Sequence, residues 1–354
     1  MKKIILLTAS YPIHPRLLKI GETLKRKYSI NTMIICSFNF NNKKDFQKKE
    51  NEIIYTYKYQ NKIYKYLITL KKMRKILASS NKDDIYVCRG ILTLALLLLL
   101  TFNKKRNIYY DIPDLLENKK ILPKIEKFLL YKCTKIILAS RFFLNFYKKY
   151  EKKILVLENY PSKEMYNLDL KLKFNFQKKG KKIVSFIGFI RYFDVLKNLV
   201  EIIKDKEIDL LFFGSGIDEE KLKNYCQHKK INNVYFFGEY NYKELNLFYN
   251  ISDYIWASYD YRIDNVKYAI SNKFYENILY EKIGIYSKNT LLGDYVLEKK
   301  IGLVVDCFNK KELSNFFDSL LNNDYQEIKN NIKKYKRENI LFWEEQVKIL
   351  NEKL

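Results

Sequence analysis

KIVSFIGFIRYFDVLKNLVEII, residues 182–203, decides the fold. Ile183 to Ile187 is a short run with almost no polar position, as expected of a strand covered on both faces. Gly188 closes that run, and from about 194 apolar residues recur every three or four positions, the period of a helix. A buried strand feeding a glycine turn and then a helix is one unit of a parallel, doubly wound sheet. Gly188 lets the backbone approach a ligand, and Arg191 and Lys197 are placed to meet an anion at the helix start.

Working outward, the same alternation repeats along the chain. The first half predicts strands near 3–8, 30–36, 52–58, 84–88, 107–111, 134–138 and 154–157, with helical patterns between most of them. The second half predicts strands near 183–187, 208–213, 233–237, 254–257, 283–286 and 302–305. Helices are expected there at 194–205, 217–229, 242–250, 272–281 and 309–321. The pattern breaks between about 159 and 182, around Asn159-Tyr160-Pro161-Ser162 and the basic run at 178–182. The expected organisation is a Rossmann-like domain at 1–165, a second at 176–330, and a C-terminal helix at 331–354 packing back towards the first domain. Two doubly wound α/β domains in tandem place a ligand between them, at the carboxyl ends of the strands.

With 354 residues and 47% apolar content the chain can build two cores. Its charged fraction, 30%, is high, but an aromatic fraction of 16% argues against disorder. The net charge of +26 is uneven: residues 1–165 hold 35 basic and 13 acidic side chains, the remainder 31 and 27. A lysine-rich genome would raise both halves, so the +22 of the first half points to an anionic partner, nucleic acid or membrane. No zinc-finger spacing or RNA-binding aromatic motif accompanies the charge, which weighs against nucleic acid. Five scattered cysteines and two isolated histidines offer no metal cluster or disulfide framework, so no metal site is expected and a reduced cytoplasmic compartment fits. The apolar run after Met1 is shorter than a signal peptide needs, and Ile91–Phe102 is too short to span a bilayer. Residues Lys62 to Leu77 repeat apolar positions at helical spacing, flanked by Lys65, Lys71, Lys72 and Lys75. That helix either packs on its sheet or lies on the inner face of the plasma membrane with these lysines on anionic headgroups.

Several loops can carry chemistry. The first, Thr8 to Arg16, joins a strand to a helix; Tyr11, His14 and Arg16 there can meet an acceptor or phosphates, or be plain helix-start residues. Asp111 and Asp114 follow the fifth strand, where carboxylates can act as general base or hold hydroxyls, or simply cap a turn. Gly214 and Gly216 form a second tight strand-to-helix turn. Ser271 is placed as N-cap of a helix containing Asn272, Lys273 and Glu276, whose free amides and positive end suit a diphosphate.

Taken in order, HPRLLKIGETLK, YYDIPDLL, SFIGFIRYFDVLKNL, DLLFFGSGIDEEKL, NVYFFGEYNYKELNLFYNISDYI and SNKFYENILY resemble family-four glycosyltransferases of bacterial capsule and lipopolysaccharide clusters. The resemblance covers nearly the whole chain. It implies the GT-B fold, with two Rossmann-like domains facing across a cleft. It also implies a UDP- or GDP-linked sugar donor, a lipid-linked or saccharide acceptor, retention of anomeric configuration and no obligatory metal or other cofactor. By position, Arg191 and Lys197 resemble the family's basic pair on the donor diphosphate, and Glu276 the second Glu of its E-x7-E element, which binds ribose. The first Glu falls at Tyr268, and a His usual in the family falls at Pro113. The alternatives are a sugar-nucleotide epimerase of the same fold, a nucleic-acid-binding protein, and a non-catalytic scaffold.

Overall fold

The computed structural model describes residues 2–10, 13–39, 52–56, 62–102, 104–116, 122–166, 176–180 and 182–353. The chain divides into two compact units, Met1–Glu158 with Val347–Leu354, and Asn159–Gln346. The first unit carries β1 (Lys3–Thr8), α1 (Pro15–Lys27), β2 (Thr32–Asn39), β3 (Glu52–Thr56), α2 (Lys62–Ala78), β4 (Ile85–Arg89), α3 (Ile91–Leu100), β5 (Asn107–Ile112), α4 (Leu122–Leu130), β6 (Lys135–Leu138), α5 (Leu144–Tyr147) and β7 (Ile154–Val156). The second carries α6 (Lys163–Tyr166), β8 (Lys182–Ile187), α7 (Phe193–Ile203), β9 (Ile208–Phe213), α8 (Glu219–His228), β10 (Val234–Phe236), α9 (Leu245–Ile251), β11 (Tyr254–Ala257), α10 (Asp264–Tyr268), α11 (Asn272–Leu279), β12 (Ile283–Ser287), α12 (Leu291–Lys299), β13 (Leu303–Val305), α13 (Lys310–Asn322) and α14 (Gln326–Glu338). A last helix, α15, runs Trp343–Lys353.

Each unit is a parallel sheet, in the orders β3-β2-β1-β4-β5-β6-β7 and β10-β9-β8-β11-β12-β13. In both, the order reverses beside the first strand of the unit, β1 or β8, and such a switch point opens a crevice at the strands' carboxyl ends. Two Rossmann-like units of this kind make the GT-B fold. The central strands are apolar on both faces because helices cover both: β9 is buried at every residue, and β1 and β8 at every residue after the first. Trp256 of β11 is fully buried and stacks on Phe317 of α13 at 6.2 Å between ring centroids.

Two sequence expectations change. The tail read as one helix is two, because Asn339 is extended and the Glu345 carboxylate accepts from the Leu341 and Phe342 amides at 3.0 and 3.3 Å, starting α15 afresh. The apolar stripe of α2 is largely turned inward. Thr69, Met73 and Ile76 are buried, Leu70 and Leu77 half-buried, and α2 packs on α3; among the described side chains of that side Tyr66 and Leu67 are exposed. Lys71 and Lys75 are exposed, Lys72 is half-buried, and the Lys65 side chain lies outside the described residues. Among the described residues no helix is long and apolar enough to cross a membrane.

The first unit buries one carboxylate under aromatic cover. Tyr110 and Tyr147 donate to Glu126 at 2.9 and 2.8 Å, and burial pushes the Glu126 carboxyl above its ordinary value despite those bonds. The folded state therefore binds more protons than the unfolded chain just above the usual glutamate range, so this group adds stability as pH falls and the contribution is lost as pH rises. We expect wild type to gain stability relative to Glu126→Gln on moving from ~pH 7 to ~pH 5, read by urea unfolding of both proteins. Parallel curves for the two would show that Glu126 titrates normally.

Candidate functional site

The second unit gathers its polar side chains at the carboxyl ends of β8, β9 and β11. Gly188 follows β8 with φ 138°, a conformation that favours glycine. Its N–H donates to Phe213 O at 2.8 Å, and Ile190 N–H to Ser215 O at 2.9 Å, so the 188–190 and 214–216 loops are bonded to each other. The approach is close enough that a Cβ on Gly214 would sit 2.0 Å from Gly188 O, and one on Gly216 2.0 Å from Ile190 O. These two glycines are required by that contact, whatever ligand lies beyond it. Asp218 accepts from Phe193 N–H at 3.0 Å and secures the first turn of α7. Between Gly188 and α7, Tyr192 adopts a left-handed φ of 69°, an uncommon conformation for a bulky residue and one held at local cost.

Across from Gly188 lies the first turn of α11. Lys273 is buried, and its Cε is 3.7 Å from where a Gly188 Cβ would stand. Its Nζ meets Glu276 Oε2 at 2.5 Å. Glu276 also accepts from Tyr242 at 3.0 Å on Oε1 and from Tyr249 at 2.8 Å on Oε2. Burial, followed by the Glu276 charge, pushes both phenols far above their ordinary range, so both remain proton donors. Tyr259, just after β11, is pushed up to about 12 by burial, with Lys273 pulling it down and Glu276 and Arg191 also acting on it. Lys273, Glu276, Arg191 and Tyr259 therefore share one electrostatic neighbourhood. Arg191 is exposed, its guanidinium 4.7 Å from the Tyr192 ring centroid.

Not every expected residue joins them. Lys197 lies one turn into α7, with Nζ 5.3 Å from the Tyr225 ring of α8. The cation beside Gly188 is Lys273 instead. Ser271 occupies the N-cap position of α11, but its hydroxyl bonds no helix amide and is buried without a partner. Asn272 is exposed at the first helical position. Tyr268, where the resemblance expects a glutamate, ends α10.

The first unit builds a cationic cluster at the equivalent strand ends. Asp111 is fully buried between Arg16 Nε at 2.9 Å and Arg89 Nη1 at 2.7 Å. Arg16 Nη1 also donates to Leu157 O at 2.5 Å. With both oxygens engaged by guanidinium groups, Asp111 is set to orient cations rather than accept a substrate proton. Arg89, which the sequence reading missed, is the cation of this pair that reaches the surface. His14 is the N-cap of α1: its Nδ1 accepts from Arg16 N–H at 3.2 Å, which leaves Nε2 to carry the hydrogen of the neutral ring. Partial burial, then the Arg89 cation, lowers the His14 pKa, while Asp111 and Asp114 act the other way. Asp114 is exposed nearby. Tyr11 lies outside the described residues.

Residues 169–339, which lie in the second unit, match the family described as glycosyl transferases group 1. Solved structures share the whole architecture. Sucrose-phosphate synthase from Thermosynechococcus elongatus aligns over 99% of this chain and 98% of its own, at TM-score 0.74 and 13% identity. HepE from Anabaena, in complex with UDP and glucose, aligns over 100% and 99%, at 0.72 and 12%. A glycosyltransferase from Rickettsia africae aligns over 99% and 97%, at 0.69 and 18%. No curated protein matches the chain.

The buried pair has a measurable consequence. Glu276→Ala leaves Lys273 buried without its carboxylate, and stability should fall by roughly 3–5 kcal/mol. Lys273→Met together with Glu276→Gln should recover most of that loss in urea unfolding. A single alanine variant as stable as wild type would mean that the pair is loosely held and solvated.

Proposed function

We propose that the chain transfers a sugar from a nucleotide diphosphate donor held in the second unit. The observation that carries this reading is the buried Lys273–Glu276 pair facing Gly188, with Arg191 beside it, inside the segment that matches the group 1 family. Lys273 and Arg191 supply positive charge where a leaving diphosphate would gather negative charge, and the start of α11 adds unpaired amides. Basic groups in those places make metal-free departure of the diphosphate chemically reasonable. Glu276, held by two phenols, is an acceptor suited to a ribose diol. HepE is solved with UDP, and we take a UDP-linked hexose or N-acetylhexosamine as the donor class, transferred with retention.

The acceptor belongs, in this reading, to the first unit, where Arg89 and His14 face solvent around the Arg16–Asp111 anchor. We assign the acceptor to a lipid-linked or saccharide intermediate of surface polysaccharide synthesis, capsule or lipopolysaccharide, with the enzyme working at the cytoplasmic face of the membrane. The charge of the first half supports an anionic environment there.

Glu276→Gln is the appropriate probe, because it keeps an acceptor while removing the charge. Turnover of the UDP-sugar should fall by roughly 100-fold, about 2.7 kcal/mol, the scale of a hydrogen bond to a charged group. Arg191→Ala should slow the chemical step more than it weakens acceptor binding. Wild-type rates in both variants would overturn the donor assignment. Isomerised nucleotide sugar formed without any acceptor would favour an epimerase instead.

A further inference from the structure

The amino-end edge of the first sheet carries an apolar hollow that the donor and acceptor sites do not use. It has a volume of about 570 Å³ and lies between the last turns of α3 and α4 and the start of β5. Ile108 of its lining is at the beginning of β5, whereas Asp111 is near the end of that strand, so hollow and cationic cluster occupy opposite edges of one sheet. Four large apolar side chains project around it: Phe102 is 72% exposed, Phe128 69%, Leu99 65% and Tyr131 50%. Isolated exposed apolar residues are ordinary, but a contiguous group of this size marks a contact surface.

The rim is basic. Lys104, Lys105, Arg106 and Lys132 line the same hollow, and the Lys132 ammonium sits 5.4 Å from the Phe102 ring centroid. Lys149 lies 5.1 Å from the Tyr131 ring. Across residues 95–108 and 122–135 the chain holds seven basic side chains and one carboxylate, Glu126, which is buried under Tyr110 and Tyr147. No exposed carboxylate in these two segments competes for the lysines.

We propose that this edge docks on an anionic lipid surface, with Leu99, Phe102, Phe128 and Tyr131 entering the headgroup–acyl boundary and the lysines meeting phosphates. Apolar side chains interleaved with flexible cations match that interface, where hydrocarbon takes the rings and anionic headgroups take the ammonium groups. The inference rests on the proposed working place of the enzyme at a membrane and not on the acceptor cluster, which lies at the opposite edge of the sheet; it puts the contact at the ends of α3 and α4 rather than on α2.

Sedimentation with phosphatidylcholine vesicles, with and without phosphatidylglycerol, tests it on the full chain. Wild type should bind the anionic vesicles at low salt and release as salt rises. The Phe102→Ser, Phe128→Ser pair should lower partitioning at least ~10-fold through lost apolar insertion. The Lys104→Glu, Lys105→Glu pair should lower it by roughly 30-fold or more. Lys71→Glu with Lys75→Glu on α2 should stay near wild type. UDP-induced thermal stabilisation should be unchanged in all of these variants, which shows that they are folded. The inference is overturned if wild type ignores anionic vesicles, if vesicles lacking phosphatidylglycerol bind it equally, or if the α2 pair loses as much as the α3–α4 pairs. Vesicle binding without any nucleotide binding would sustain the surface while removing the transferase reading.

Discussion

Lys273 and Glu276 meet at 2.5 Å one turn apart on a helix buried from Lys273 to Leu279, and the second unit is arranged around making that pair tolerable. Two charges withdrawn from water need nearly every lone pair answered, or the desolvation cost exceeds their attraction. Tyr242 and Tyr249 complete the carboxylate and so tie the 242–251 segment to α11. Tyr249 stacks on Tyr280 at 4.3 Å, and its neighbour Phe248 stacks on Phe213 at 4.0 Å. Phe213 is the last residue of β9, directly before the Gly214 turn that bonds the 188–190 loop. The aromatic residues therefore run from the charge pair to the strand that ends at the Gly214 turn.

The first unit solves the same problem with a different stoichiometry. One carboxylate, Asp111, serves two guanidinium groups, and the cluster keeps a net positive charge at the strand ends. After β6, Arg141 is held separately at 2.5 Å by Glu158, just beyond β7. A further consequence falls on His14: a ring whose Nδ1 caps α1 and which neighbours Arg89 is kept towards its neutral form, able to donate from Nε2. In both units the acid orients the base.

Strand positions were legible because their cause is local. Runs such as Ile4-Ile5-Leu6-Leu7 and Ile136-Ile137-Leu138 have no polar face, and the observed strands lie within a few residues of the expected ones. Glu276, Lys273 and Gly188 stood out as candidates for a similar reason, since a helix start and a strand-end glycine are short-range signals. Tyr242 and Tyr249 were not, because their bonds to Glu276 span 34 and 27 residues in a chain where tyrosine is everywhere. Arg89 was missed although a cation closing an apolar strand before Gly90 was visible, and Asp111 was read as a base because its two arginines are contributed from residues 16 and 89. Lys197 was placed by sequence spacing alone, and one turn of helix carries it round to Tyr225.

The basic, apolar edge of the first unit shows that a periodic stripe and an exposed apolar surface need not fall on the same helix. α2 has the periodic stripe that reads as amphipathic, but a stripe is equally what a helix needs to cover a sheet, and Met73 and Ile76 are spent on that. α3, Ile91–Leu100, has no polar face at all beyond Thr93, whose hydroxyl bonds back to Arg89 O and Gly90 O. A helix apolar all round must be covered all round or leave one side towards a partner. The sheet, α2 and α4 cover most of α3, yet Leu99 remains exposed at its end. The lack of periodicity in α3, more than the periodicity of α2, is the sequence feature that marks an uncovered apolar surface, and the lysines on either side of it give that surface its sign.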